Sequence, residues 1–256
     1  MFESAVREGT LRLRRPGTRW LSTGWDGGRS RGPAAYNVTV PAGFDRTDLA
    51  AYRGERLARA GFGADGEGDG PEIGATEADR DAPPTLFTGV SMDHARGARL
   101  GSVVAYATVG LSNPAMLPMA PSGTTESGGS ADDPPDPSAE RPGTVNLIVG
   151  TTRRLAAGAA ANLVAVAAEA KTATLLAGAG IPGTTSDAVV VGDDPAGEPA
   201  EFSGSATAVG GAARACVRDA VRASLRSRYP DGDVPASTAD AEHGVVTDER
   251  AEVFDP

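Results

Sequence analysis

The chain is poor in the residues that most chemistry leans on. It has one cysteine, Cys216, so no internal disulfide can form. The segment around it, ARACVRDAV, reads as a helix with a buried, inert thiol. Two histidines, His94 and His243, and no cysteine cluster exclude a zinc site of the usual kind. No metal and no cofactor are expected. Aromatic residues make up 5% of the chain, so the core must be built from Ala, Val and Leu. No apolar h-region marks the N-terminus, MFESAVREGTLRLRR. The longest apolar run, Leu155–Ala168, contains Gly158 and Asn162 and is too short to span a bilayer. A soluble, cytoplasmic protein is expected.

Lysine is nearly missing as well. Lys+Arg total 24, and Lys171 is the one lysine among them. With Asp+Glu at 34 the formal net charge is -10. That balance excludes nucleic acid, which is bound through cations, and an anionic membrane surface. An acid excess with almost no lysine suits a halophilic protein, because salt screens the repulsion. A GC-rich coding bias gives the same composition. A homo-oligomer stays compatible with the sequence.

The central stretch runs from Pro142 to Gly192. Two β-branched runs, Thr144–Val149 and Ala188–Val191, flank a long Ala-rich segment, which predicts strand, helix, strand. Polar residues gather at the junctions: Thr144, Asn146, Thr184, Thr185, Ser186 and Asp187. The helix carries Glu169 and Lys171. Arginine stays a fixed cation, whereas a buried lysine can shift its pKa and act as a base or a compact donor. Lys171 is therefore a candidate site residue, or a helix-surface partner of Glu169.

Around this unit the patterning predicts further elements. Thr10–Arg14 alternates like a strand, Pro16–Gly17 turns the chain, and Trp20–Ser22 and Tyr36–Val40 are further strands. Asp45 or Thr47 caps a helix that runs through Ala60. Leu86–Met92 and Ser102–Leu111 read as strands, the second central. Gly24–Gly28 is either a hairpin connection or a loop that approaches a ligand. Trp25 beside it stacks on a flat ring or covers a core edge. Residues 61–84 and 118–141 read as low-complexity insertions, and 193–201 as an acidic turn. Ser205 and Thr207 open a helix to about Arg228, where they cap it or leave amides for an anion or carbonyl. The expected fold is α/β, a single layered domain spanning 1–229. A mixed sheet of about six to eight strands is covered by helices near 46–60, 155–178 and 206–228. Residues 230–256 read as an acidic disordered tail.

Five phrases carry a further signal: GLSNPA (Gly110–Ala115), PGTVNLIV (Pro142–Val149), EAKTATLL (Glu169–Leu176), GTTSDAVVV (Gly183–Val191) and SGSATAVG (Ser203–Gly210). In order and spacing they resemble the adenosylcobinamide amidohydrolase family. The likeness runs from about Leu86 to Arg228, with a weaker match at Leu21–Pro41. Pro182 stands where a small polar residue is expected, and Ser186 where Thr is expected. Ser keeps the hydroxyl; Pro182 removes a backbone donor. His94 does not complete a D-x-H-x-x-G corrinoid pattern, because Met92 holds the Asp position; an exposed turn is expected there.

The resemblance implies hydrolysis of the aminopropanol amide of adenosylcobinamide, giving adenosylcobyric acid and 1-amino-2-propanol in corrinoid salvage. A non-catalytic corrinoid carrier and an amidase of an unrelated small molecule are the alternatives. Amide hydrolysis needs an attacking oxygen, donors for the oxyanion and a proton for the leaving amine. Neither histidine lies in the family-like phrases, so a Ser-His-Asp triad is poorly supported. Lys171, Glu169 and Asp187 are the expected proton-handling groups, with Ser186 or Thr184 as nucleophile or water holder. Residues two apart on a helix do not share a face, which favours Lys171 over Glu169. Asn113, Gly143, Thr144 and Asn146 are expected to hold the substrate. Gly27, Gly28, Ser205 and Thr207 are further candidates.

Overall fold

The computed structural model describes residues 1–63, 82–121, 143–235, 241 and 244–255. Most of the two expected insertions, and His243, lie outside the described residues. Strands β1 (Glu3–Arg7), β2 (Thr10–Ser22), β3 (Gly28–Thr39), β4 (Thr85–Thr88), β5 (Arg96–Leu100), β6 (Val103–Val109), β8 (Val145–Thr151) and β10 (Ala188–Asp193) form one mixed sheet. Its order is β4-β3-β2-β10-β8-β6-β5, with β1 paired to β2. Short strands β7 (Ala115–Met116), β9 (Arg154–Leu155), β11 (Pro199–Ala200) and β12 (Val245–Val246) pair as β9 with β11 and β7 with β12. The helices are α1 (Leu49–Arg59), α2 (Ala157–Ala179) and α3 (Ala208–Arg228).

Strands β8 and β10 are parallel neighbours joined through α2. Every residue of both is buried, which is why they read as unbroken apolar runs. Their side chains still alternate. Leu147, Val149, Val189 and Val191 pack under α2 and α3. Ile148, Ala188 and Val190 face the other way, onto Phe2, Leu13, Trp20, Ala35 and Leu86 from β2, β3, β4 and the N-terminus.

Strand β2 is irregular at its middle. Pro16 and Gly17 were expected to turn the chain between two strands; the structure keeps one strand. Gly17 adopts φ +74° and the pairing with β3 shifts between Arg14 and Thr18, a bulge that absorbs the missing Pro16 amide. The first half of β2 pairs with β1 and the second half with β10. Phe62, inside a segment expected to be solvated, is buried, with its ring beside Tyr36 and under the Arg12 guanidinium. The α1 N-cap is Asp48, not Asp45 or Thr47. Its side chain caps nothing, because Arg46 takes the carboxylate at 2.6 and 2.8 Å.

Helix α2 buries Leu163, Ala167, Lys171, Thr174 and Leu175 along one stripe. Gly180, in the left-handed conformation, ends it, with its N–H on Leu176 O. By length and composition α2 is long enough to cross a membrane, but half of its most apolar window is buried inside the fold. Thr207 caps α3, accepting from Gly210 N. In the C-terminal stretch, Val245 N donates to Pro114 O at 2.9 Å and Thr247 N to Met116 O at 3.0 Å.

Candidate active site

The position of Lys171 follows from the α2 stripe. The stripe carries it toward the end of the sheet where β8 and β10 begin, and there its ammonium meets Asp187, the residue before β10. The side chains are 10% and 13% exposed. Asp187 takes four donors. Val145 N (2.9 Å) and the Thr184 hydroxyl reach Oδ1; Thr184 N (3.1 Å) and Lys171 Nζ reach Oδ2. Such a set engages both oxygens of the carboxylate. Among the described residues Lys171 has no second partner, so two ammonium N–H groups remain for a ligand.

Gly183 makes this fit possible. A Cβ there would lie 2.5 Å from Asp187 Oδ2 and 2.8 Å from Lys171 Nζ. The 183–187 loop is pinned on its outer side as well. Ala115 N donates to Gly183 O at 2.9 Å, Thr185 N to Asn113 O at 3.2 Å, and Asn113 Nδ2 to Thr185 Oγ1 at 2.6 Å. Thr144 Oγ1 donates to Ser186 O at 2.8 Å, and Gly143 N to the Ser112 hydroxyl. Thr185 and Ser186 are exposed, whereas Thr184 and Asn113 are buried.

Of the residues singled out from the sequence, Lys171, Asp187, Thr184, Ser186, Thr144, Gly143 and Asn113 are thus together. The others are not. Glu169 lies outside on the helical layer, with its carboxylate on Arg214 at 3.0 Å, because two residues along α2 turn it away from the stripe. Ser205 and Thr207 stand at the start of α3, where the Thr207 hydroxyl bonds Gly204 O and Gly210 N and Ser205 lies 3.4 Å from Arg214. Gly27 and Gly28 close the β2–β3 hairpin; a Cβ on Gly27 would meet Ser22 O at 2.6 Å. Trp25 packs on Phe87 beneath Arg53.

Asn146 sits next to the cluster but points to the inner layer. Its Nδ2 donates to Asn37 Oδ1 at 3.0 Å and Phe87 O at 2.9 Å, while Asn37 Nδ2 donates to Thr108 Oγ1 at 2.9 Å. Asn37, Thr108 and Ser112 were not singled out from the sequence, since nothing local marks their long-range partners. His94 is half-buried, Nδ1 lying 3.1 Å from Ser227 Oγ. Burial first, and Arg228 second, push its pKa below the usual histidine value. Cys216 is buried and its thiol is pushed up by burial.

Two hollows open elsewhere. One of about 500 Å³ lies between α1 and the β3 end, lined by Tyr52, Glu55, Arg56 and Ser91. The other, about 550 Å³, runs between α2 and α3 beside Arg214, Arg218 and Arg222. Neither contains Lys171 or Asp187. We place the candidate site at the cluster because, among the described residues, it alone joins a hydroxyl, a carboxylate and a lysine ammonium with donors to spare. Among the described residues no three His, Cys, Asp or Glu side chains gather into a metal site.

A mixed α/β sheet and a strand–helix–strand unit that ends in a Thr-Asp-Lys cluster give the chain its outline. Comparison with known proteins gives that outline a family. Residues 73–232 match the adenosylcobinamide amidohydrolase family, and every residue of the cluster lies inside this span. A protein of Halobacterium salinarum named adenosylcobinamide amidohydrolase is 54% identical over 256 residues, covering 100% of both chains. The chain belongs to the adenosylcobinamide amidohydrolase family.

Proposed function

We propose that this protein hydrolyses the amide between the aminopropanol arm and the corrin side chain of adenosylcobinamide, giving adenosylcobyric acid and 1-amino-2-propanol in corrinoid salvage. One observation carries the reading. The single lysine of an arginine-rich chain is buried on a carboxylate that also receives a threonine hydroxyl, inside the family-matched span.

In this reading the Thr184 hydroxyl, aimed at Asp187 Oδ1, keeps its lone pairs for the carbonyl carbon. As the Oγ–C bond forms, its proton passes to Asp187. Lys171 holds the oxyanion and gives a proton to the departing nitrogen. The direct Asp187–Lys171 contact then returns the proton to the amine. Water opens the resulting ester. Ser186 fits the nucleophile's role less well, because no described group accepts its proton. Asn146 holds the strand layers together, and Gly143 and Thr144 fix the loop's frame. The excess acid and near-absent lysine suit work in a salty cytoplasm, and a melting temperature that rises with potassium chloride is expected.

The test is incubation of the purified protein with adenosylcobinamide in concentrated potassium chloride. Release of 1-amino-2-propanol supports the reading. A change in the corrinoid spectrum without release marks a carrier instead.

A further inference from the structure

We propose that Thr185 is a substrate-contacting residue, donating its hydroxyl proton to the carbonyl oxygen of the amide, and that Asn113 is a positioning residue that aims this proton. The inference rests on the reading of the 183–187 loop as the place where the amide is cut.

Three threonine hydroxyls surround the loop, and two are committed. Thr184 donates to Asp187 Oδ1, and Thr144 donates to Ser186 O at 2.8 Å. Thr185 is arranged the other way round. Its Oγ1 accepts from Asn113 Nδ2 at 2.6 Å. A hydroxyl has one proton and two lone pairs, so an amide N–H on a lone pair directs the O–H elsewhere. Among the described residues no group accepts that proton, and Thr185 is exposed.

The donor that sets this direction is rigid. Asn113 is 3% exposed, and its own carbonyl accepts from Thr185 N at 3.2 Å, so the two residues are joined twice. Pro114 follows and bridges to Thr184, and Ala115 N holds Gly183 O at 2.9 Å. Loop and support therefore move as one piece. An oxyanion is stabilised most by donors fixed before the charge develops. Thr185 supplies such a donor on an exposed position of the same loop whose Asp187 holds the Lys171 ammonium.

The test follows aminopropanol release by wild type and by Thr185→Val, Thr185→Ser and Asn113→Asp, with folding checked by melting. Thr185→Val lowers kcat by about 100-fold with a smaller change in KM, and Thr185→Ser stays near wild type. Asn113→Asp separates aiming from mere support. When ionised, the new carboxylate can only accept, so it captures the Thr185 proton and kcat falls as in Thr185→Val. When protonated it donates again, so the ratio of variant to wild-type kcat climbs as pH drops through the new carboxyl's pKa. In a Thr185→Val background the same change adds no further loss. Wild-type turnover by Thr185→Val, or a pH-independent ratio for Asn113→Asp, overturns the proposal and leaves the hydrolase reading standing. No release by wild type removes both.

Discussion

One carboxylate stands just before strand β10 and another closes it, and the two ends differ in the cation they are given. At its start Asp187 meets Lys171. At its end Asp193 meets Arg19, and the next residue, Asp194, meets Arg15. The arginine end is knitted into backbone. Arg19 also reaches Leu155 O at 2.8 Å, and Leu155 N donates to Asp193 at 3.0 Å. The lysine end is knitted to a hydroxyl, Thr184, and keeps N–H groups in reserve. Arginine cannot give up its proton, while lysine can. In the reading proposed above, the same acid serves two purposes, and the partner decides which end is architecture and which is chemistry.

The comparison breaks first at Lys171. Lys171→Arg keeps the charge but not the compact, exchangeable proton, and a loss of about 100- to 1,000-fold in kcat is expected. A variant that melts like wild type and turns over normally would make the two ends equivalent. At the other end Arg19→Met leaves Asp193 without its cation. Urea unfolding should show a loss of about 2–3 kcal/mol, with kcat of the folded fraction unchanged. Between these lies Gly183→Ala, whose methyl group pushes Lys171 from Asp187. On the order of a tenfold fall in kcat is expected, with little change in KM.

The smallest effect is in acid. Burial alone would raise the Asp194 pKa, but the Ala196 amide and Arg15 outweigh it and leave it below the usual carboxylate value. The group thus binds its proton less readily folded than unfolded. Its stabilisation is complete above the unfolded pKa of about 3.9 and is lost as pH falls through the lower folded value. Arg15→Met should move the acid-unfolding midpoint slightly upward. An unchanged midpoint would show that Arg15 does nothing for Asp194.

Much of this was legible in sequence because it is local. The Ala-rich period of α2, the apolar runs of β8 and β10 and the uniqueness of Lys171 need no partner to be seen. Helix geometry already favoured Lys171 over Glu169, and the structure puts the Glu169 carboxylate on Arg214 instead. What escaped notice depends on distant residues. Asp193 and Asp194 beside Pro195 and Gly197 look like a solvated turn, but their arginines come from 174 and 179 residues away. Asn113 and Thr185 are 72 apart, so no local pattern shows which of them donates. Pro16–Gly17 looked like a chain reversal because the second partner of β2 lies far along the sequence, on β10.

The two acids at the limits of β10 also act as stops. A strand held by hydrogen bonds alone can slide by a residue pair with modest penalty, but here any slip withdraws Asp187 and Asp193 from their cations together. The span between the 183–187 turn and the arginine clamp is therefore a fixed length. Lengthening or shortening this segment by even two residues would preserve the pleat yet leave one acid stranded.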